Sequence, residues 1–542
     1  MLSMSRSESA PAFNNVNTVQ QITFRLMREL GMTTVFGNPG STELNFLNNF
    51  PEDFDYVLAL QEASAVAMAD GYAQATNNAA FVNLHSAAGL GNALGNIYTA
   101  FRNHAPLVIT AGQQTRSILP FAPYLGAEHA AEFPKPYVKW SIEPARAEDV
   151  PLAIAQAYHI AMQHPRGPTF VSIPSDDWDK TTVMPNYSKV TGGSTPSSDA
   201  MAQLVNALTH SQNLALVVGS DIDRQGAFES IVTLAERLQA QVWEAPNSSR
   251  ASFPEDHPQF AGFLPALPEP LSAKLADYDV VLVIGAPVFT LHMAGEMPLF
   301  DSEVAIYQIT DDPMYAALAS ATTTLFGTVA LSIQALIEQL PQSDKAPITK
   351  SIRPRAPQVS AATPIPIEYA IDVLANARSA DAIIVEEAPS HRPAIQRFLP
   401  ITQTGGFYTM ASGGLGYGLP AAVGVALATS KRVICVVGDG SSMYSIQALW
   451  TAVQSNLPLT VIVLNNFGYG AMRSFSKITG SEAIPGTDLP AIDFVKLAES
   501  MGCPAARVSQ HEQLAEAISI ALAASGSYLL EIIVDPDTGA IY

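Results

Sequence analysis

Residues 432–466 read RVICVVGDGSSMYSIQALWTAVQSNLPLTVIVLNN. An apolar run at 433–437 stops at Gly438-Asp439-Gly440-Ser441. A helix-like segment follows, and a second apolar run at 459–464 ends in Asn465-Asn466. The pattern predicts strand, Gly-rich turn, helix, strand, the repeating unit of a doubly wound parallel sheet. The glycines let backbone approach an anion closely, and N–H groups at a helix start can receive it. Asp439 and Asn466, 27 positions apart, offer hard oxygen ligands at strand ends, where open α/β sheets bind ligands. Such a set suits magnesium or calcium beside phosphate rather than zinc. Gly-Asp-Gly alone fits an ordinary helix cap equally well; the spaced Asn-Asn favours the ligand reading.

Working outward, the chain divides into three blocks. Residues 17–185 alternate short apolar strands (33–36, 56–59, 80–84, 107–111, 169–173) with helical segments, including an Ala-rich helix at 62–75. A linker rich in Gly, Ser, Thr and Pro occupies 186–199. The second block, 200–340, has buried-strand candidates at 214–218 and 280–285. A Pro-rich linker at 341–365 leads to the third block, 366–542, which holds the opening motif. Residues 1–16 are polar and predicted to be a flexible segment. The expected fold class is α/β, with three doubly wound, mainly parallel-sheet domains.

Composition narrows the function classes. Of the 542 residues, 48% are hydrophobic and 14% charged, which supplies large cores and excludes general disorder. A net charge of −21 disfavours a nucleic-acid partner. The two cysteines, Cys435 and Cys503, form no ligand-spaced cluster and fit a reducing compartment. No apolar run approaches the roughly 20 residues that cross a bilayer, and the N-terminus has no signal-like apolar core. A cytoplasmic protein without membrane contact is expected.

The GDG motif, its spacing and the closing NN resemble the signature of thiamine diphosphate enzymes. The sequence LQEASAVAMADGYAQAT at 60–76 matches their glutamate helix. Further stretches resemble the benzoylformate decarboxylase family over nearly the whole chain from residue 17: VFGNPGSTEL at 35–44, NLHSAAGLGNA at 83–93, TAGQQTR at 110–116, SIPSDDWDK at 172–180 and VLVIGAPVFTLH at 281–292.

The resemblance implies thiamine diphosphate, with Mg2+ or Ca2+ held by Asp439, Asn466 and the Gly468 backbone carbonyl. Glu62 would be the acid on the aminopyrimidine ring that promotes loss of the C2 proton. Ser41 would lie near the substrate carboxylate, His85 would protonate the former ketone oxygen, and His292 would help protonate the product carbon; histidine suits such transfers near neutral pH. Leu415 would wedge under the cofactor. Asn38, Pro39, Gly40, Ser390, Gly413, Gly438, Gly440, Ser441, Tyr444, Tyr469, Gly470 and Ala471 would complete the cofactor contacts. Without that resemblance, Glu62 reads as a dipole-stabilising surface residue, Ser41 as a helix cap and the histidines as satisfied core or loop residues.

The implied reaction is non-oxidative decarboxylation of a 2-oxo acid, benzoylformate or a similar aryl or alkyl acid, to an aldehyde and carbon dioxide. Carboligation is an expected side activity. The implied assembly is a homotetramer built from dimers, with the first block of one subunit facing the third block of another. Two departures bear on substrate choice. The aromatic residue expected before the Gly-Gly-Leu-Gly turn falls at Thr409, and the loop at 386–391 is poorer in hydroxyls than the pattern. Ala471, Met472 and Phe475 are the expected pocket walls. The alternatives are a carboligase of the acetolactate synthase type and a non-catalytic cofactor-binding paralogue.

Overall fold

A computed structural model describes residues 17–295, 299, 304–320, 322–353, 356–481 and 484–537. The segment 1–16, expected to be flexible, lies outside these residues, as do Pro354 of the second linker and the last five positions of the third block. Three six-stranded sheets organise the chain, and every ladder within them is parallel. Their central strands are continuous apolar runs because helices cover both faces. Leu459–Asn465, Leu107–Gln113 and Leu214–Val218 are buried along their whole lengths. A two-stranded antiparallel pair, Asn17–Thr18 with Thr181–Thr182, fastens the start of the chain.

The first and third sheets share one topology. In chain order, the first sheet's strands are Thr34–Gly37, Asp55–Leu58, Ala80–Leu84, Leu107–Gln113, Ser141–Ile142 and Thr169–Pro174. The third sheet's are Ile383–Glu387, Phe407–Thr409, Val433–Gly438, Leu459–Asn465, Ala505–Val508 and Tyr528–Ile533. In both, the spatial order is second, first, third, fourth, sixth, fifth. The winding direction therefore reverses between the first and third strands, and that switch point is where such sheets bind ligands. The middle sheet runs third, second, first, fourth, fifth, sixth and encloses its own core.

One hydrophobic cluster spans the first and third sheets. Its centre is the contact between helices Glu62–Thr76 and Gly418–Ala428. Both are built largely of small residues, so their backbones approach closely. A Cβ placed on Gly424 would lie 1.9 Å from the Met68 carbonyl oxygen, and one on Gly71 would lie 2.2 Å from that of Ala421. Among the described residues, no helix is long and apolar enough to cross a membrane.

The close approach makes an unusual prediction about sign. Helix propensity alone would have Gly424→Ala stabilise by about 1 kcal/mol. Overpacking against the Met68 carbonyl should instead cost about 1–3 kcal/mol. A urea midpoint below wild type is expected, and an unchanged or raised midpoint would refute the contact.

Candidate active site

Asp439 follows strand Val433–Gly438 at the third sheet's switch point. Its Oδ1 accepts the Gly440 N–H at 2.7 Å and its Oδ2 the Gly468 N–H at 2.8 Å. Burial pushes its pKa up to about 6, while those N–H donors pull it down. The two asparagines after Leu459–Asn465 take different jobs. Asn465 is structural: its amide donates to Glu531 at 2.7 Å and its oxygen accepts from Phe467 N–H at 2.9 Å. Asn466 is 1% exposed, and its Nδ2 has no partner among the described residues.

Around Asp439 and Asn466 lies a cavity of about 940 Å3. Gly438, Gly440, Ser441, Gly468, Tyr469 and Ala471 face it from the motif side. Gly440 leaves room for the Tyr469 ring: a Cβ there would sit 2.4 Å from it. Ser390 lines the cavity and its Oγ accepts the Ala471 N–H at 2.9 Å. Gly413 and Leu415 form another wall. Gly470 starts the helix Gly470–Thr479. His292 reaches the cavity from the middle block, its ring edge-on to Phe475 at 4.7 Å between centroids. Met472 and Phe475 line the same wall. Tyr444 is not among the lining residues and is 57% exposed.

The remaining sequence candidates gather elsewhere, at the switch point of the first sheet. Asn38, Pro39, Gly40 and Ser41 form the turn after Thr34–Gly37. Ser41 is exposed and begins a short turn of helix whose cap is Gly40, so the alternative reading of Ser41 as a helix cap does not hold. His85 follows Ala80–Leu84 at the start of helix Ser86–Arg102. Gly40 makes room for it, because a Cβ at Gly40 would lie 2.1 Å from His85 Nδ1. Glu62 opens the helix Glu62–Thr76 and is 8% exposed. Asn92 Nδ2 donates to its Oε2 at 3.1 Å, and a Cβ on Gly89 would fall 3.0 Å from its Oε1. None of Ser41, Glu62 and His85 lines the cavity holding Asp439. Within one chain, the structure presents two half-sites.

Sequence reading missed several members. Glu43 is 1% exposed and accepts from Gly40 N–H at 2.9 Å, Thr42 Oγ1 at 2.6 Å and Gly112 N–H at 3.2 Å. Its Oε2 also lies 2.8 Å from His85 Nδ1. Its place three residues after the Gly40 cap is the capping-box spacing, the available signal. His391 is 2% exposed, lines the cavity and has both ring nitrogens unpartnered among the described residues. Burial pushes it down to about 4, so it is neutral at pH 7. Thr409 is not the pocket residue expected: it is 1% exposed and its hydroxyl donates to Glu386 at 3.0 Å. Phe407 and Met410 line the cavity instead.

Family profiles of thiamine pyrophosphate enzymes match the chain in three places. The N-terminal TPP binding domain covers residues 17–132, the central domain 201–336 and the C-terminal TPP binding domain 388–532. The chain belongs to the thiamine pyrophosphate enzyme family. Within it, a benzoylformate decarboxylase of Pseudomonas aeruginosa is 42% identical over 523 residues, covering 95% of this chain and 99% of that one. The solved structure of a Rhodococcus jostii RHA1 thiamine diphosphate-dependent 4-hydroxybenzoylformate decarboxylase superposes with a TM-score of 0.93 at 40% identity, covering 96% of this chain and 100% of the other. The large subunit of Escherichia coli K12 acetolactate synthase isozyme 3 is more distant, 26% identical over 537 residues, covering 93% of this chain and 92% of that one.

The first half-site depends on the bare Gly40 backbone. Gly40→Ala should displace His85 and lower turnover by about a hundredfold, the scale of a 1 Å misplacement. Its thermal midpoint should stay near that of wild type. Undiminished turnover would contradict the close approach.

Proposed function

We propose that this protein is a thiamine diphosphate-dependent decarboxylase of an aryl 2-oxo acid of the benzoylformate class, releasing an aldehyde and carbon dioxide. The observation that carries this reading is the gathering of Ser41, Glu62 and His85 at one switch point and of His292 and Asp439 on the walls of one cavity at the other. The residues fit the cofactor. Asn466 carries an unpartnered buried amide beside the cavity motif, Gly440 leaves backbone bare beneath Tyr469, and Asp439 and Asn466 supply oxygen donors. That donor set suits Mg2+ or Ca2+, with the Gly468 carbonyl as the third protein ligand. When bound, the cofactor supplies an electron sink for the carbanion left by decarboxylation.

The chain's own groups do the rest. Glu62, held by Asn92 and nearly buried, orients and polarises the reactive end. Ser41 receives the substrate carboxylate, whose loss is favoured away from water. His85 delivers a proton to the substrate ketone oxygen and takes it back as the aldehyde is released, and His292 delivers the proton that stays on the aldehyde carbon, so one proton is consumed per turnover. Phe407, Met472 and Phe475 supply the apolar and aromatic wall that an aryl group would meet.

Each half-site is incomplete, so the working enzyme takes Glu62 from one subunit and Asp439 from another. Exposed apolar side chains support this: Leu44 is 61%, Leu60 47%, Met443 40% and Phe467 42% exposed, each close in sequence to a half-site residue. A homotetramer of two such dimers, in the cytoplasm, completes the proposal. The proposed domain boundaries are 186–199 and 341–365, whose described residues are almost free of regular structure.

A panel of 2-oxo acids with thiamine diphosphate and magnesium tests the reaction. Benzaldehyde and carbon dioxide from benzoylformate are expected; a ligated hydroxyketone as main product would favour the carboligase. Glu62→Gln should bind cofactor but lose at least about a hundredfold in turnover. Asp439→Ala should lose magnesium-dependent binding of thiamine diphosphate in equilibrium dialysis. Wild-type behaviour in both variants would refute the assignments.

A further inference from the structure

Leu415 reaches the cavity wall from a turn tied by side chains on its far side: Asn96 donates to the Gly416 carbonyl at 3.3 Å and the Tyr417 hydroxyl donates to Asp70 at 3.0 Å. The turn, 413–417, contains three glycines, and Gly413 and Gly416 have φ of 73° and 97°. The side chain that accepts the backbone N–H groups on both sides of Tyr417 is Glu387, the last residue of strand Ile383–Glu387. Glu387 is 1% exposed. One carboxylate oxygen accepts the Gly416 N–H at 2.7 Å, and the other accepts the Gly418 N–H. Contact is close enough that a Cβ on Gly418 would lie 2.6 Å from the Glu387 Cβ.

Burying a carboxyl group here is costly. Burial pushes its pKa up to about 8 despite the backbone donors. An apolar side chain would avoid that cost but leave two N–H groups without their acceptor. The Gly418 N–H is the first of helix Gly418–Ala428, and the Gly416 N–H lies just before its cap, Tyr417. That helix packs on the one that begins with Glu62. Glu387 thus sits where the cavity wall, the turn and the interblock helix contact meet, three residues before Ser390.

We propose that Glu387 is a positioning residue: by holding the backbone on both sides of Tyr417 it fixes Leu415, and through Leu415 the geometry of the bound cofactor's reactive end. The inference rests on the cofactor reading above. Its test is deuterium exchange at C2 of bound thiamine diphosphate, read by NMR without substrate, alongside cofactor binding by equilibrium dialysis with magnesium. Glu387→Gln should slow exchange by about tenfold or more while cofactor affinity stays within about threefold. Because both residues act as one unit, Glu387→Gln should add little to the loss caused by Leu415→Ala. Multiplying losses, or wild-type exchange in Glu387→Gln, would overturn the assignment. Should Glu387→Gln fail to fold, Glu387→Asp keeps the carboxyl group with a shorter reach and is read in the same cycle. Wild-type protein that does not speed exchange over free cofactor would overturn the cofactor reading itself; normal wild-type exchange with an unaffected variant would overturn only the role of Glu387.

Discussion

The backbone contact between helices Glu62–Thr76 and Gly418–Ala428 is the constraint on which the site depends. One helix begins at the candidate activating acid. The other begins just after the turn that carries Leu415. Gly71 and Gly424 leave no room for a methyl group between the helices, so their relative height is set by carbonyl oxygens rather than by adaptable side chains. Dense interiors transmit such placement with little slack. Asn96 extends the tie, donating to the carbonyls of Ala63 at 2.8 Å and Gly416 at 3.3 Å. The first residues of both helices are therefore fixed against each other.

The shared strand order of the first and third sheets gives this contact its use. Each sheet has a switch point at its carboxyl edge, and each switch point collects one kind of chemistry. The first gathers Ser41 on the turn after Thr34–Gly37 with Glu62 and His85 at the starts of two helices. The third presents oxygen ligands and backbone donors: Asp439, Asn466 and the glycines around them. Neither half alone can bind a diphosphate and also act on a bound substrate. The middle block contributes His292 and a wall of the cavity.

Much of this was legible in the sequence because buried parallel strands are plain apolar runs. The runs at 80–84 and 214–218 coincide with Ala80–Leu84 and Leu214–Val218, and the helix predicted at 62–75 is observed as Glu62–Thr76. Short edge strands such as Ser141–Ile142 and Phe260–Phe263 lack such a run and were not legible. Glu43 and Glu387 escaped for a different reason. Their partners include backbone N–H groups 69 and 29 positions away, and a backbone donor leaves no mark in the sequence. Thr409 shows the reverse problem: a short strand before a glycine turn fixes which side chains face the cavity only once its register is known.

The central claim is that one working site takes its two halves from different subunits. Subunit mixing tests it directly. Glu62→Gln and Asp439→Ala chains, each inactive alone, are denatured, refolded together and assayed for decarboxylation with cofactor and magnesium. In mixed dimers, one site carries both substitutions and the other carries neither. Random pairing should then restore about one quarter of wild-type activity, as expected for a two-fold symmetric interface. A mixture as inactive as its components, with wild-type protein refolded in parallel regaining activity, would contradict the account.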